Sequence, residues 1–540
     1  MLTLVSLGLG TQPFLVLDPS SDWELAYDYE RDACPNINPR EGIRGDQPDS
    51  MPIAWFNREL NRSSLIAATS QGVHASVAGG ATLDELRHDC SRVVFNSSFG
   101  TSPTSFANRQ WLQSVRLLPN GTAFGLVHNE FKGEFSGNTS YCSCVINATH
   151  RDPDCANHCE LWSTGLAISH DGGEHFELAA DPPGHLVAAL PSRFAKDQQL
   201  AGYGAISTML PGSDGAFYGL INVAGASQQQ AGVPAGNCVF RTESLANPHA
   251  YRALGADGAF SVRWRDPYTS GSDGAGRCAT IPTNATSPLA PHVCIRRIVP
   301  GSSSSRYVAL GDHSGAVRYA FSEKPDFEDA LLSWGPPRLL EMAGLSRWVT
   351  PTGSAHVLYP VLLDHRSPDM GDAHGDPGNG DNYALTSLDS STLFLYIVAS
   401  GRNVLRRRVL FSDLPPSPPA PPPPPPPADC QALRVSGSGA RTADGVYART
   451  ERTSSGAPVF AKDATHQIYR TNVTGAADGL AWHLGDEGVA GSVLYVNVGP
   501  SAPLMPPAAG WQLGPDQSVG TPPAPAGVVC TPARARSRDW

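Results

Sequence analysis

Glu130 is the residue whose setting offers the most chemistry. It closes the phrase LVHNE at the end of a strand-like run, with His128 two positions before it and Asn129 between them. Side chains alternate along a strand, so His128 and Glu130 share a face and the imidazole can tune the acid's pKa. A carboxyl group kept protonated by partial burial and a nearby carboxylate is a proton donor, and the second carboxylate serves as base or nucleophile. Three aspartates are candidates for that second group or for holding a substrate. Asp49 precedes the first strand-like run of the body, Asp364 ends YPVLLD, and Asp266 sits in WRDPY, on a loop that Pro267 stiffens. Tyr359, at the start of YPVLLD, joins His128, Asn129 and Asp266 as a candidate for binding substrate. An aspartate at a strand end also caps turns, which is the structural alternative for each of the three.

Two segments have the composition of metal sites. The loop 364–382 (DHRSPDMGDAHGDPGNGDN) holds five aspartates, two asparagines and two histidines, and hard oxygen ligands on a Gly-bent loop suit Ca²⁺. Its spacing is not that of an EF-hand, and a solvated acidic loop is the alternative. Cys142, Cys144, Cys155 and Cys159, near His150 and His158, read either as a zinc site or as two local disulfides. No metal or cofactor is required by the acid–base chemistry above. Phosphate-loop, His-Glu-x-x-His and Gly-x-Ser-x-Gly signatures are missing, which removes the chemistries they carry.

Composition bounds the frame. Of 540 residues 54 are Gly and 48 are Pro, charged residues make up only 16%, and the net charge is −11. That balance speaks against nucleic acid as a partner, which calls for a basic face. No apolar run approaches the length needed to span a bilayer. Sequons begin at Asn61, Asn96, Asn120, Asn138, Asn147, Asn284 and Asn472, and there are 11 cysteines. Together they point to the secretory route, with the protein secreted or lumenal. Residues 1–20 open on an apolar, uncharged stretch that reads as a signal or as a first strand. Nothing in the sequence sets the oligomeric state.

The candidate acids need strands to position them, and the body supplies pairs. Five times a strand-like run, a turn and a second run recur: near Pro52–Thr69, across Asn120-Gly121, from Tyr203 to Ala224, from Cys294 to His313, and from His356 to Ser400. The first four pairs are followed by a third strand, a polar corner and a fourth. In the second corner Ser169, Asp171, Gly173 and Phe176 form Ser-x-Asp-x-Gly-x-x-aromatic, in which Asp171 caps amides, Gly173 takes a positive φ and Phe176 pins the corner. Four-stranded units at this spacing predict an all-β protein, a five-bladed β-propeller over 46–412. PPSPPAPPPPPPP at 415–427 is a stiff linker. A small β domain over 429–531 follows, closed by Cys430 and Cys530 at its two ends.

The Ser169–Phe176 turn resembles the Asp box of sialidases and related propellers. The five-blade count is similar to the arabinanase, invertase and levansucrase class of glycosidases, and LVHNEF, AISHDGGEHF and LYPVLLDHRSPD resemble phrases of bacterial glycosidase-like proteins. The tail resembles a small β module of protist and algal proteins. The resemblance implies a glycoside hydrolase acting on carbohydrate through paired carboxylates in a central funnel. Glu130 would be the proton donor, Asp49 or Asp364 the opposing carboxylate, and His128 and Asp266 would position the sugar. The third inner strand, YGAISTML, has no acid where that class places one. The alternative is a non-catalytic propeller that binds glycans or protein. Non-reducing mass mapping tests the cysteine reading: Cys430 should be bonded to Cys530, closing a loop worth roughly 4–5 kcal/mol in chain entropy, and Cys142, Cys144, Cys155 and Cys159 should pair among themselves. Bound zinc or free thiols at those positions would overturn it.

Overall fold

In a computed structural model of the chain, the residues described are 13–35, 47–66, 74–98, 100–136, 138–143, 159–224, 232–269, 277–281, 292–299, 306–313, 316–322, 324–345, 348, 358–370, 380–399 and 402–412, and, in the tail, 430–436, 438, 443–455, 457–463, 465–472, 480–485, 493–497, 506, 512–513 and 527–531. The fold is all-β: among these residues the only α-helices are the single turns Tyr29–Asp32 and Phe327–Ala330. The linker 415–427, Cys144, Cys155, Asn147, Asn284 and the loop positions 371–379 lie outside them. Two compact units divide the chain, a body and a tail.

The body is a series of antiparallel meanders. The first runs Ile53–Asn57, Arg62–Ile66, His74–Gly80 and Arg87–Asn96. The second runs Gln110–Leu117, Ala123–Lys132 and Glu160–Ser169, with Glu177–Leu178 and Leu186–Ala188 on its outer edge. Its first turn is Asn120-Gly121, with Gly121 at φ 80° and Thr122 N–H donating to Asn120 Oδ1. The third runs Ala201–Ile206, Phe217–Val223, Gly236–Thr242 and Arg252–Ala253, and a short parallel pairing of Ala201 with Leu161 joins it to the second. The fourth runs Val293–Ile298, Arg306–His313, Ala316–Phe321 and Arg338–Leu339. In the fifth, Leu358–Asp364, Leu393–Val398 and Val404–Ser412 are completed by Phe14–Leu17 from the other end of the body.

Neighbouring meanders bury apolar faces against each other. Trp55 and Phe95 of the first pack with Leu112, Val127 and Phe176 of the second. Leu126 and Phe131 meet Tyr203, Ile221 and Phe240 of the third, whose Tyr218 and Leu220 meet Ile295 and Tyr307 of the fourth. The Ser169 corner sits at the first of these seams. Ser169 Oγ donates to Asp171 Oδ1 (2.6 Å), Gly173 N–H donates to Ser169 Oγ (3.0 Å), and the Glu174 and His175 amides donate to Asp171 Oδ1. Gly173 has φ 87° and lies against the Trp55 ring, so a Cβ there would clash as well as strain. Phe176 meets Trp55 edge-on at 6.2 Å.

First strands touch one another in turn. Ile206 N–H donates to Gln113 Oε1 (3.1 Å), linking the third meander to the second. Arg296 of the fourth donates through Nη1 to Thr208 Oγ1 (2.8 Å), just past the third's first strand, and through Nε to the Leu362 carbonyl of the fifth (2.7 Å). Tyr359 of the fifth donates its hydroxyl to Asp49 Oδ1, just before the first. The buried amide of Asn382 accepts from Leu117 N–H (2.6 Å) and donates to Leu117 O (3.1 Å).

The tail is one antiparallel sheet of eight strands, in which the last strand, Gly527–Thr531, returns to pair with the first, Ala432–Ser436. Leu433, Tyr447, Phe460, Trp482 and Tyr495 form its core. Cys430 is disulfide-bonded, and Cys530 pairs in register with Leu433. In the body, Cys34–Cys90, Cys142–Cys159 and Cys238–Cys278 are disulfides, and Cys294 is a buried free thiol. Cys142 is therefore a bridge partner, not a zinc ligand. Asn61, Asn96, Asn120 and Asn138 are exposed.

Asn382→Leu keeps the side chain's size and leaves Leu117 N–H and C=O buried without partners. Its cost should be about 3 kcal/mol, read as a lower urea midpoint at unchanged slope. An unchanged midpoint would show that the amide is not what holds this edge.

Candidate active site

Arg109, His128 and Lys132 converge on Glu130. Arg109, just before the first strand of the second meander, places Nη1 3.1 Å from Glu130 Oε2. His128 Nε2 lies 3.1 Å from Oε1, and Lys132 Nζ lies 3.8 Å from Oε2. The strand register explains the grouping: Lys132 is paired with Glu160 and Glu130 with Trp162 across the sheet. Lys132 Nζ reaches Glu160 Oε2 at 3.3 Å as well, while Trp162 Nε1 donates to Glu160 Oε1 (2.7 Å). One ammonium group thus stands between two carboxylates, and their facing oxygens are no further apart than the sum of those two contacts. That separation is below the upper limit of roughly 10 Å for carboxyl pairs that cleave glycosidic bonds.

The two acids titrate in opposite directions. Burial alone would raise Glu130, but Lys132, the hydrogen bond from His128, and Arg109 together push it down to about 2. Glu160 is raised, first by burial and then by the charge of Glu130. A third acid, Glu134, follows in the short 3₁₀ turn Gly133–Phe135. Burial raises it to about 7, and its Oε2 has no hydrogen-bond partner among the described residues. The expectation that Glu130 is held protonated is therefore corrected. It is the acid of the group whose ionised form is favoured, by Lys132, His128 and Arg109, whereas burial favours the protonated forms of Glu160 and Glu134.

Local structure fixes these positions. Gly133 N–H donates to Cys159 O (2.8 Å), Cys159 N–H donates to Gln198 O (2.6 Å), and the Cys142–Cys159 disulfide closes the segment between the second and third strands. Glu134 near its beginning and Glu160 just past its end are held by the same bridge. His128 is wedged between the rings of Trp111 (5.4 Å) and Trp162 (4.9 Å), over Gly204, where a Cβ would meet the imidazole. Arg109 lies over Trp111 at 5.2 Å.

The remaining candidates divide. His128 is only 4% exposed, so it positions Glu130 rather than touching a sugar. Asn129 faces the other side of the strand, as alternation requires. It is buried, accepting from Gln110 Nε2 (2.8 Å) and donating to Ser163, and is not a substrate ligand. Asp49 and Tyr359 do meet: Asp49 Oδ1 accepts from the Tyr359 hydroxyl (3.2 Å) and from Arg402 Nη1. His292 packs edge-on to Tyr359 at 4.5 Å, with Asp312 3.7 Å from its Nδ1. This second cluster gathers at the entries of the first, fourth and fifth meanders. Asp364 lies at the far end of the strand from Tyr359, roughly 15 Å away at strand rise. It is fully buried and accepts bonds from Thr392, Arg366, Thr386 and Ser387, so it caps a turn and is not a catalytic carboxylate. Asp266 caps its own turn through Tyr268 N–H and makes no contact with the Glu130 group among the described residues. Of the acidic loop, Asp381 pairs with Arg58 at 2.7 Å, so this carboxylate serves the protein rather than an ion. Sequence reasoning missed Arg109, Lys132, Glu134, Glu160, Arg402 and His292. Glu160 stood next to Cys159, whose own reading masked it.

No protein-family model and no curated protein matches the chain. Among solved structures, a thermostable family-43 glycoside hydrolase overlaps it with 12% identity, covering 71% of this chain and 98% of that one at a TM-score of 0.35. An α-L-arabinofuranosidase from Lactobacillus brevis covers 71% and 93% at 8% identity and TM-score 0.34. A mutant Trypanosoma rangeli sialidase displaying trans-sialidase activity covers 74% of this chain and 60% of that one at 10% identity and TM-score 0.36. The structural neighbours named are thus glycoside hydrolases and sialidases. No residue is carried over from them.

Glu134 makes folding pH-dependent. Its folded pKa lies above its ordinary 4.5, so the native state holds a proton that the unfolded chain has lost between 4.5 and about 7. The stability it contributes is present below pH 4.5 and is lost as pH rises through about 7, on the order of 3 kcal/mol in all. Urea midpoints of the wild type should fall between pH 5 and 8 relative to those of Glu134→Gln. Parallel pH profiles would contradict the burial of this acid.

Proposed function

We propose that the protein is a secreted carbohydrate-active enzyme, a glycoside hydrolase built on a five-bladed propeller. The five meanders, the cyclic contacts of their first strands and the Ser169 corner support the propeller reading. Entry ends of first strands and exit ends of second strands then share one face, where Arg109, Glu130 and Glu160 stand with Asp49, Tyr359 and Arg402. The disulfides and exposed sequons support passage through an oxidising compartment. The observation that carries the chemistry is the pair of carboxylates sharing Lys132 with opposed pKa shifts. Glu160, whose burial favours the protonated form, gives its proton to the leaving oxygen, and Glu130, whose ionised form is favoured, activates water or attacks the sugar. Lys132 holds both acids in place, and Arg109 and His128 fix Glu130. Asp49 and Tyr359 would bind sugar hydroxyls.

One observation favours a second reading. Glu130 is already engaged by Arg109, Lys132 and His128, as in a structural ion cluster, which suits a non-catalytic glycan-binding propeller. Glu160→Gln separates the two. On a panel of aryl glycosides and natural polysaccharides it should lower kcat at least 10³-fold, with the thermal midpoint and glycan binding retained. Full activity in that variant would remove Glu160 as proton donor. Glycan binding by a wild type that turns over nothing would establish the binder.

A further inference from the structure

Away from the Glu130 group, the third meander carries a cleft of about 280 Å³ whose walls are strongly cationic. The alternating burial of Ser261–Arg265 explains it. Val262 pairs with Ala253 and is buried, as is Trp264, so alternation turns Arg263 and Arg265 outward on one face. Arg252, on the strand paired through Ala253, brings a third guanidinium into the same space. Trp264 contributes its ring, Asp266 and Thr269 line one end, and Pro183 and Leu186 of the second meander close the side.

The charges are not balanced from within. Arg263 and Arg265 make no ion pair among the described residues, and Arg252 spends its Nη1 on the carbonyls of His249 and Tyr251. Among the described residues Asp266 is the only carboxylate lining the cleft, and one of its oxygens already accepts from Tyr268 N–H. Arg252 is held below its ordinary pKa, first by burial and then by the charge of Arg263. Three guanidinium groups gathered in a concave site with one carboxylate repel one another, and an anion relieves that repulsion. Guanidinium forks match planar or tetrahedral oxyanions through paired N–H donors.

We propose that this cleft binds an oxyanion carried on a sugar, a sulfate ester or a uronate carboxylate, at a site separate from the Glu130–Glu160 pair. Its volume is close to the lower end for small-ligand pockets, roughly 300–1,000 Å³, so it takes one charged sugar unit and holds the polymer that bears it. The identity of the anion's carrier rests on the carbohydrate reading above, whereas the anion site itself does not.

Calorimetric titration of the full chain tests it with three oligosaccharides of equal length: a sulfated galactan, an oligouronate and a neutral galactan. At least one anionic probe should bind, more weakly as salt rises, and the neutral one at least tenfold less tightly. Which anionic probe wins identifies the group. Arg263→Ala with Arg265→Ala should weaken that binding at least tenfold and flatten its salt dependence. The paired lysine variant should recover part of it, since charge returns without the fork. Both side chains are exposed, and an unchanged thermal midpoint confirms folding. Glu160→Gln should bind the anionic probe as the wild type does, which keeps failure of the anion site distinct from failure of the catalytic reading. Equal binding of neutral and anionic probes, no anionic binding, or full binding by the double alanine variant would each overturn the proposal.

Discussion

First strands pair with neighbouring meanders as sheet only over short stretches, Ala201–Gly202 with Leu161–Trp162 and Arg297–Ile298 with Leu385–Thr386, and the body is organised around what those stretches leave unpaired. The edge that each turns toward its neighbours presents backbone N–H and C=O groups out of reach of water, which must find partners. Side chains supply them: Gln113 accepts from Ile206 N–H, Arg296 donates to Leu362 O, and Asn382 bonds both groups of Leu117. Such residues look out of place in a run of buried positions. They are there because backbone groups demand them, and they also fix the relative height of neighbouring meanders. The entry ends that carry Arg109 and Asp49 are therefore set by polar contacts deeper in the body.

The candidate site uses the same low-dielectric interior for another purpose. The chain has four lysines among its 39 basic residues, and one of them stands between Glu130 and Glu160. An ammonium is a compact point charge that can face two carboxylates at once, where an arginine fork would favour one of them. Its presence leaves the two acids unequal. Glu130 gains Arg109 and His128 besides, and Glu160 is left with an indole N–H and the repulsion of its neighbour. The asymmetry arises from how many cations each acid can reach, with both drawn from adjacent strands of one sheet.

Much of the frame was legible because turns announce themselves. Asn120-Gly121 marks the hairpin between Gln110–Leu117 and Ala123–Lys132, and the Ser169–Phe176 pattern marks the corner that Gly173 and Phe176 lock against Trp55. Glu130 was legible as an important acid from its place at a strand end. Its protonation state was not, since Lys132 and Arg109 act on it across distances that only folding sets. Glu160 was hidden for the same reason: its partnership with Lys132 is a matter of register between strands separated by a long insertion. Asp364 and Asn129 misled because strand-end acids and amides look alike in sequence whether they face a site or cap a turn. Nothing in local pattern tells the two ends of a strand apart.

The pairing of Phe14–Leu17 with Val404–Ser412 has a consequence for how the protein is made. A ribosome releases the first of these strands long before its partner exists, and emergence proceeds at roughly 5–20 residues per second. For the tens of seconds between, Phe14–Leu17 has no native neighbour, and the first meander has an unpartnered face. Exposed strand edges of this kind invite pairing with other chains. Biosynthesis therefore has a period of vulnerability whose length is set by translation speed, and it ends only when Val404–Ser412 leaves the exit tunnel. Silent codon changes that slow translation between these two segments would lengthen that period and lower the yield of folded protein without altering a single residue.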